Sequence, residues 1–287
     1  MAFTSNIKGI LCLCLCTFFA HGSSVYKISN GKNTLYLGGT MHVLAQSDYP
    51  LSNAYTIAYK ASDNLVFETD VMAMSSPAMQ QKSVELLTFS DGRSLTDELS
   101  HATLSKLKAH LKSRNISYDM FHTMKPGLVG VTLSLIELQT MGLSVQGVDA
   151  YYTALALNDG KPISWLEEPE QQLHMLAKFG EDQSDQFIQY SLSELRDFSE
   201  DITALKQAWY IGDLNGLEEV GINDWKADYP ELYQILLSDR NKNWMTNITS
   251  MMQSPPTEFI LVGALHLAGN NGLIAQLVSR GFTVTQL

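Results

Sequence analysis

Apolar and polar positions along the chain follow two periods, one of two residues and one near 3.6. "SVYKISNGKNTLYLGGTMH" alternates on either side of Asn30-Gly31, which predicts a hairpin whose second arm continues as a strand. "NLVFETD" reads as a short strand, Leu65 to Phe67, ending in Glu68. Ile163 to Leu166 reads as another, Phe259 to Val262 in "EFILVGALH" as a fourth, and "FTVTQL" as a terminal one. Between them the spacing is helical. "PLSNAYTIAYKASD" is entered at Pro50, and "SPAMQQKSVELLTF" carries Pro77 near its start. "SLTDELSHATLSKLKAHLKSRN" holds one or two helices, with Leu104, Leu107 and Leu111 on one face. "GLVGVTLSLIELQTMG" stops at Gly142, and "GVDAYYTALALNDG" turns at Asp159-Gly160. "EPEQQLHMLAKFG", "SDQFIQYSLSELRDFSEDITALKQAWYIGD" and "YPELYQILLSDRNKNWMTNITSMMQ" are all helical, as is "NGLIAQLVSRG" near the end.

Strands alternating with helices at both ends of the chain predict an α/β fold, a small, mostly parallel sheet flanked by helices. No Pro/Gly/Ser linker, low-complexity tract or charge run divides the sequence. One domain is expected over residues 23–287, with a helical insertion at approximately 167–250.

The first 22 residues differ from this pattern. Lys8 is their only charge, and "GILCLCLCTFFA" has the length of a signal-peptide apolar region, too short to span a bilayer. Ala20 and Gly22 supply small residues before Ser23, so the expectation is export, periplasmic or secreted, after cleavage near Ser23. No later run is long enough for a transmembrane helix. All three cysteines (Cys12, Cys14, Cys16) lie in this segment, so a mature chain would have no disulfide, thiolate metal site or cysteine nucleophile. A formal charge of −11 argues against a nucleic-acid partner, which needs a basic face.

Candidate chemistry follows from where the strands end. Two of the seven histidines, His42 and His266, each stand three residues after a glycine (Gly39, Gly263) at the end of a predicted strand. Ligands of open α/β sheets sit beyond the carboxyl ends of the strands, and Glu68 and Glu167 fall at the same end of two others. Glu167 and Glu168 also fit the first turn of the next helix, where acids complement the dipole. Two imidazoles with one or two carboxylates suit a divalent ion with an open position for water. His101, His110, His122 and His174 sit in polar helical or loop settings. There is no G-x-S-x-G elbow, no H-E-x-x-H helix and no P-loop.

"YLGGTMH", "LVFETD", "MKPGL", "GVDAYYTALALNDGKPISWLEEPEQQL", "DRNKNW" and "FILVGALHLAGNNGLIAQLVSRGFTV", in that order and over nearly all of the mature length, resemble the TraB/PrgY/GumN family, whose eukaryotic relatives include the Tiki proteins. The resemblance implies an EreA/ChaN-like fold and, by way of the Tiki proteins, a divalent-metal-dependent hydrolase acting on a peptide or protein substrate. Mn²⁺, Co²⁺ or Zn²⁺ would be held by His42, His266 and Glu68, with Glu68 or Glu167 as general base. Arg240 would bind an oxyanion or a substrate carboxylate, and Asp149 matches an acidic position of the family. Gly127 departs from the large aromatic common after the proline of "KPGL", which bears on pocket shape. Two other readings stay open: an EreA-like esterase in which a histidine acts directly as base, and a protein that sequesters a peptide without turnover.

Overall fold

The computed structural model describes residues 22–143, 146–253 and 255–287. The segment expected to direct export therefore lies, apart from Gly22, outside the described residues. The hairpin forms as its alternation predicts. β1 (Val25–Ser29) and β2 (Thr34–Thr40) pair antiparallel. In the turn, Asn30 Oδ1 accepts the N–H groups of Lys32 and Asn33 at 2.9 and 2.8 Å, and Gly31 takes the positive φ of +86° that the reversal requires.

β3 (Asn64–Phe67), β4 (Ile163–Trp165), β5 (Glu258–Gly263) and β6 (Thr283–Gln286) complete a six-stranded sheet of order β4-β3-β5-β2-β1-β6. β4, β3, β5 and β2 run parallel, while β1 is antiparallel to both of its neighbours. The sheet is thus mixed, with a parallel centre. The register sets Thr40 beside Gly263, and Phe67 beside both Leu261 and Trp165. Four carboxyl ends therefore finish along one edge, and the segments carrying His42, Glu68, Glu167 and His266 leave from it.

β5 is the uninterrupted apolar run "FILV" because both of its faces are covered. Phe259 and Leu261 meet Tyr55 and Tyr152, from the helices Asn53–Ala61 and Val148–Asp159. Ile260 and Val262 meet Trp244, Ile248 and Leu277, from Asp239–Met251 and Leu273–Ser279. Side chains from both sides lose their water here, at about 25 cal/mol per Å² of apolar surface, and this anchors the edge on which the candidate site sits.

Helices make up 59% of the structure. Apart from Asn53–Ala61 before β3 and Leu273–Ser279 after β5, the α-helices of the described residues fall in two runs, one between β3 and β4 and one between β4 and β5. The run expected at about 167–250 is the second. Leu107, Phe121 and Leu133 of the first run share a separate apolar core with Ile188 of the second. Gly127 belongs to this packing. A Cβ there would overlap the Leu176 carbonyl oxygen, so glycine lets the helices Pro126–Thr140 and Pro169–Ala177 touch, and the residue is an internal contact, not a pocket wall. Among the described residues no helix is long and apolar enough to cross a membrane.

Candidate functional site

Beyond β5 the chain turns directly into a 3₁₀ turn, Ala264–Leu267, that carries His266. His266 is buried, 4% exposed. Its ring lies 4.5 Å from the Trp244 ring, centroid to centroid. Asn241, itself buried, fixes its orientation. The Asn241 amide nitrogen donates to the carbonyls of His266 (3.2 Å) and Asn271 (2.9 Å), so its Oδ1 is left to accept the His266 Nδ1 proton at 2.6 Å. The other nitrogen, Nε2, is therefore a bare acceptor, and Arg240 Nη1 donates to it at 2.9 Å. Burial holds this imidazole down at about 3, against the opposing pull of Glu68, so it is neutral.

Arg240 and Trp244 are four residues apart on the helix Asp239–Met251, and so share one face. A π-helical turn, Gln234–Ser238, precedes that helix, a local widening often found at functional sites. Arg240 Nη1 also donates to the Leu236 carbonyl within this turn, at 3.2 Å. Its Nη2 donates to Glu68 Oε2, and to Glu167 Oε1 at 2.6 Å; its Nε reaches Glu167 at 3.1 Å. All five guanidinium N–H groups are satisfied by the protein. The expected oxyanion or carboxylate contact from Arg240 has no donor left to make it. Trp244 underlies the cluster, with the Arg240 guanidinium 4.6 Å from its ring and its Nε1 donating to Glu167 Oε2 at 3.1 Å.

Glu68 leaves β3 and turns toward β5, where its Oε1 accepts the Gly263 N–H at 2.6 Å. Burial alone would raise this carboxyl. Arg240, the two histidines and the Gly263 N–H overcome it and hold the group well below the usual carboxylate range. Such an acid is a weak proton acceptor, which tells against Glu68 as the base. Glu167 turns inward to Arg240, whereas its neighbour Glu168 caps the next helix, its backbone N–H donating to Gln171 Oε1 at 2.7 Å.

His42 arrives from β2 and, unlike His266, has a side chain 68% exposed. Its Nδ1 lies 2.9 Å from Asp149 Oδ2. Asp149 sits in the first turn of Val148–Asp159, and Gly147 brings that turn in. A Cβ on Gly147 would overlap the Met41 and His42 carbonyl oxygens, and the Val148 N–H donates to the Met41 carbonyl at 3.1 Å. Asp149 raises His42 to about 9, against the nearby Arg240 charge, and water around the exposed ring screens part of the attraction. Beneath the His42 loop, the Gly39 carbonyl accepts both the Tyr55 hydroxyl and, at 2.8 Å, Trp209 Nε1.

The two G-x-x-H histidines meet at the glycine of the second motif. A Cβ on Gly263 would lie 3.1 Å from Glu68 Oε1, 3.6 Å from His266 Cδ2 and 3.8 Å from His42 Nε2. Glycine here leaves a small cradle with three polar side chains on its rim. The remaining expected residues, Arg240 and Glu167, adjoin that rim through Glu68 and His266. Residue-level reading missed Asn241 and Trp244 as partners of the cluster, although "DRNKNW" holds both. His110 faces Glu137 at 3.2 Å, His174 faces Glu170 at 3.4 Å, and His122 Nδ1 contacts the Asp119 carbonyl at 2.7 Å, all outside this cluster.

As arranged, these donors do not fit a divalent ion held by His42, His266 and Glu68. An ion on the His266 Nε2 lone pair would sit about 2.0–2.1 Å from it, inside the space of the Arg240 guanidinium. Glu68 is likewise engaged on both oxygens. Among the described residues no three His, Cys, Asp or Glu side chains converge as a metal-holding group.

Comparison with protein families matches residues 24–286, nearly the whole chain, to the model described as the TraB/PrgY/gumN family. No curated protein and no solved structure matches the chain.

Proposed function

The chain belongs to the TraB/PrgY/gumN family, and from that premise we propose that it is a hydrolase of peptide bonds in which His42 activates the attacking water. The observation that carries this reading is the His42–Asp149 pair. The carboxylate engages Nδ1 and leaves Nε2 facing the Gly263 cradle beside Glu68 Oε1. An acid bonded to the far nitrogen selects one tautomer and stabilises the imidazolium formed when the near nitrogen takes a proton.

In the proposed reaction, water in the cradle gives one proton to His42 Nε2 and hydrogen-bonds through the other to Glu68. Its oxygen attacks the scissile carbonyl carbon. As the C–N bond breaks, His42 returns its proton to the leaving nitrogen. Arg240 keeps Glu68 ionised and in place. Asn241 keeps the His266 lone pair turned to Arg240, which stiffens the same wall. A groove of about 530 Å³ opens along the outer side of Val148–Asp159, lined by Gln46, Tyr49, Ala150, Tyr151 and Leu155, and its carboxamide and tyrosine surfaces suit an extended peptide. Export is part of the same proposal and rests on the apolar segment before Ser23.

The test is cleavage of a peptide library by the mature chain, with His42→Ala and His174→Ala alongside. His42→Ala should lower turnover by about 10²–10⁴-fold, and His174→Ala should not. Turnover that survives His42→Ala refutes the assignment. Tight peptide capture with no cleavage by the unaltered protein would make it a sequestering protein instead.

A further inference from the structure

We infer that Arg240 is the resident cation of this site and excludes a divalent ion from it, so that removing the guanidinium opens an ion site built from His42, His266 and Glu68. The inference takes its location from the site proposed above but does not require hydrolysis. Its readout is ion binding, so it stands or falls separately from peptidase activity.

Three observations carry it. First, both histidines are dressed as metal ligands usually are. Each has Nδ1 fixed by an outer partner, Asp149 for His42 and Asn241 for His266, while Nε2 points inward. Second, the inward lone pair of His266 is bonded to Arg240 Nη1 at 2.9 Å, and the same guanidinium bridges Glu68 and Glu167. An ion at bonding distance from that nitrogen would take the place that Arg240 Nη1 now occupies. Third, Arg240 already supplies the counter-charge that Glu68 and Glu167 require. A dication seated beside it would set two cations against each other in a buried place, at a cost that low-dielectric surroundings magnify.

Without Arg240 the balance reverses. Glu68 loses its main counter-charge, the His266 lone pair is free, and His42 Nε2 stands on the rim of the Gly263 cradle with Glu68 Oε1, from which the side chains can close on an ion. Two imidazole Nε2 atoms and a carboxylate form a donor set of the kind that takes Zn²⁺ or Co²⁺ with a fourth position open, His42 giving up any Nε2 proton as the ion binds.

The experiment measures Co²⁺ bound per chain by elemental analysis and visible absorption after buffer exchange. The proteins are the full mature chain, Arg240→Ala, and a double variant, Arg240→Met with Glu167→Gln. The double variant removes one buried acid together with the guanidinium, so that the fold is not left with two unpaired carboxylates. The unaltered protein is expected to retain at most about a tenth of an equivalent, and the folded variant about one equivalent, with the absorption of a four-coordinate site. Adding His266→Ala to that variant should abolish the gain. Two results overturn the inference: about one Co²⁺ in the unaltered protein that His266→Ala removes, or a folded Arg240 variant that gains none.

Discussion

Replacing Asp149 with Asn keeps the shape at His42 and removes one charge. The amide oxygen can still accept the Nδ1 proton, so the change reads the charge of the pair alone. Two unit charges 2.9 Å apart attract by about 1.4 kcal/mol in bulk water and about 6 kcal/mol at an effective dielectric constant near 20. One pKa unit corresponds to about 1.4 kcal/mol, so the water limit alone is worth about one unit. The His42 value of about 9, against 6.5 for the free group, lies between the two limits. Exposure of the ring draws the expectation toward the lower one. The Asp149→Asn variant should therefore titrate at least about one unit below the unaltered protein, and by no more than the full return to about 6.5. A pH titration of the histidine ring resonances by NMR measures this directly. The linkage has a definite sign. Because its folded-state value is raised, His42 contributes stability that is complete below about 6.5 and is lost as pH rises through about 9. The variant should lose most stability at or below pH 6.5 and progressively less toward higher pH. If His42 is the base, turnover by the unaltered protein rises with pH toward 9, and the variant reaches its plateau earlier at a lower rate. A His42 that titrates near 6.5 in the unaltered protein, or that does not move in the variant, refutes the pairing as the source of its basicity.

Acid should weaken the fold through the opposite linkage. His266 is held neutral down to about 3 and Glu68 is held ionised, so the unfolded chain binds more protons than the folded one at acid pH. The unfolding free energy from urea denaturation should fall between pH 6.5 and 4, by up to about 1.4 kcal/mol per pH unit for each group within its own window, and a flat profile there counts against the buried neutral imidazole. Gly147→Ala should cost about 1–3 kcal/mol, because its Cβ would meet the Met41 and His42 carbonyls, and it should lower the His42 titration together with the melting temperature. Glu137→Gln serves as the distant control. It removes the charge from a bidentate pair with Arg114 at 2.7 and 2.6 Å, and should cost about 1.5–3 kcal/mol in urea denaturation with turnover per folded molecule unchanged.

Much of the fold was legible because the sheet writes itself twice in the sequence. Asn30-Gly31 between two apolar-rich arms specified the hairpin, since that pair supplies the turn that an antiparallel reversal needs. "FILV" specified β5, which is covered on both sides. Strand order was not legible. β5 inserts between β2 and β3, and that choice depends on which apolar faces meet after folding, a long-range matter that no local period encodes. The helices were legible as helices, but not the separate core that Leu107, Phe121 and Leu133 build with Ile188 across more than fifty residues of intervening chain.

At the candidate site the strand ends were the readable part. A parallel sheet places all its carboxyl ends on one edge, so a polar residue just past each strand is a prediction about a shared place. His42, Glu68, Glu167 and His266 all leave that edge, and Gly263 shows why the glycine matters: its missing Cβ is the space on which Glu68, His266 and His42 border, while Glu167 joins through Arg240. What each residue does there could not be read in the same way. Protonation depends on partners, and the partners come from helices. Asp149 makes His42 basic, while burial beneath Trp244 and a bond from Arg240 make His266 an acceptor. Two histidines in identical G-x-x-H settings thus differ in titration from about 9 to about 3. The motif assigns the position, and the helix packed against that position assigns the chemistry. Arg240, Asn241 and Trp244 could have been found together only by asking which face of "DRNKNW" turns to the sheet. Trp244 answers that question, being the largest side chain there and the one that must be buried. With Trp244 turned inward, Arg240 one helical turn before it falls on the same face, and its charge has to find acids. Glu68 and Glu167 are the acids that the parallel edge already provides.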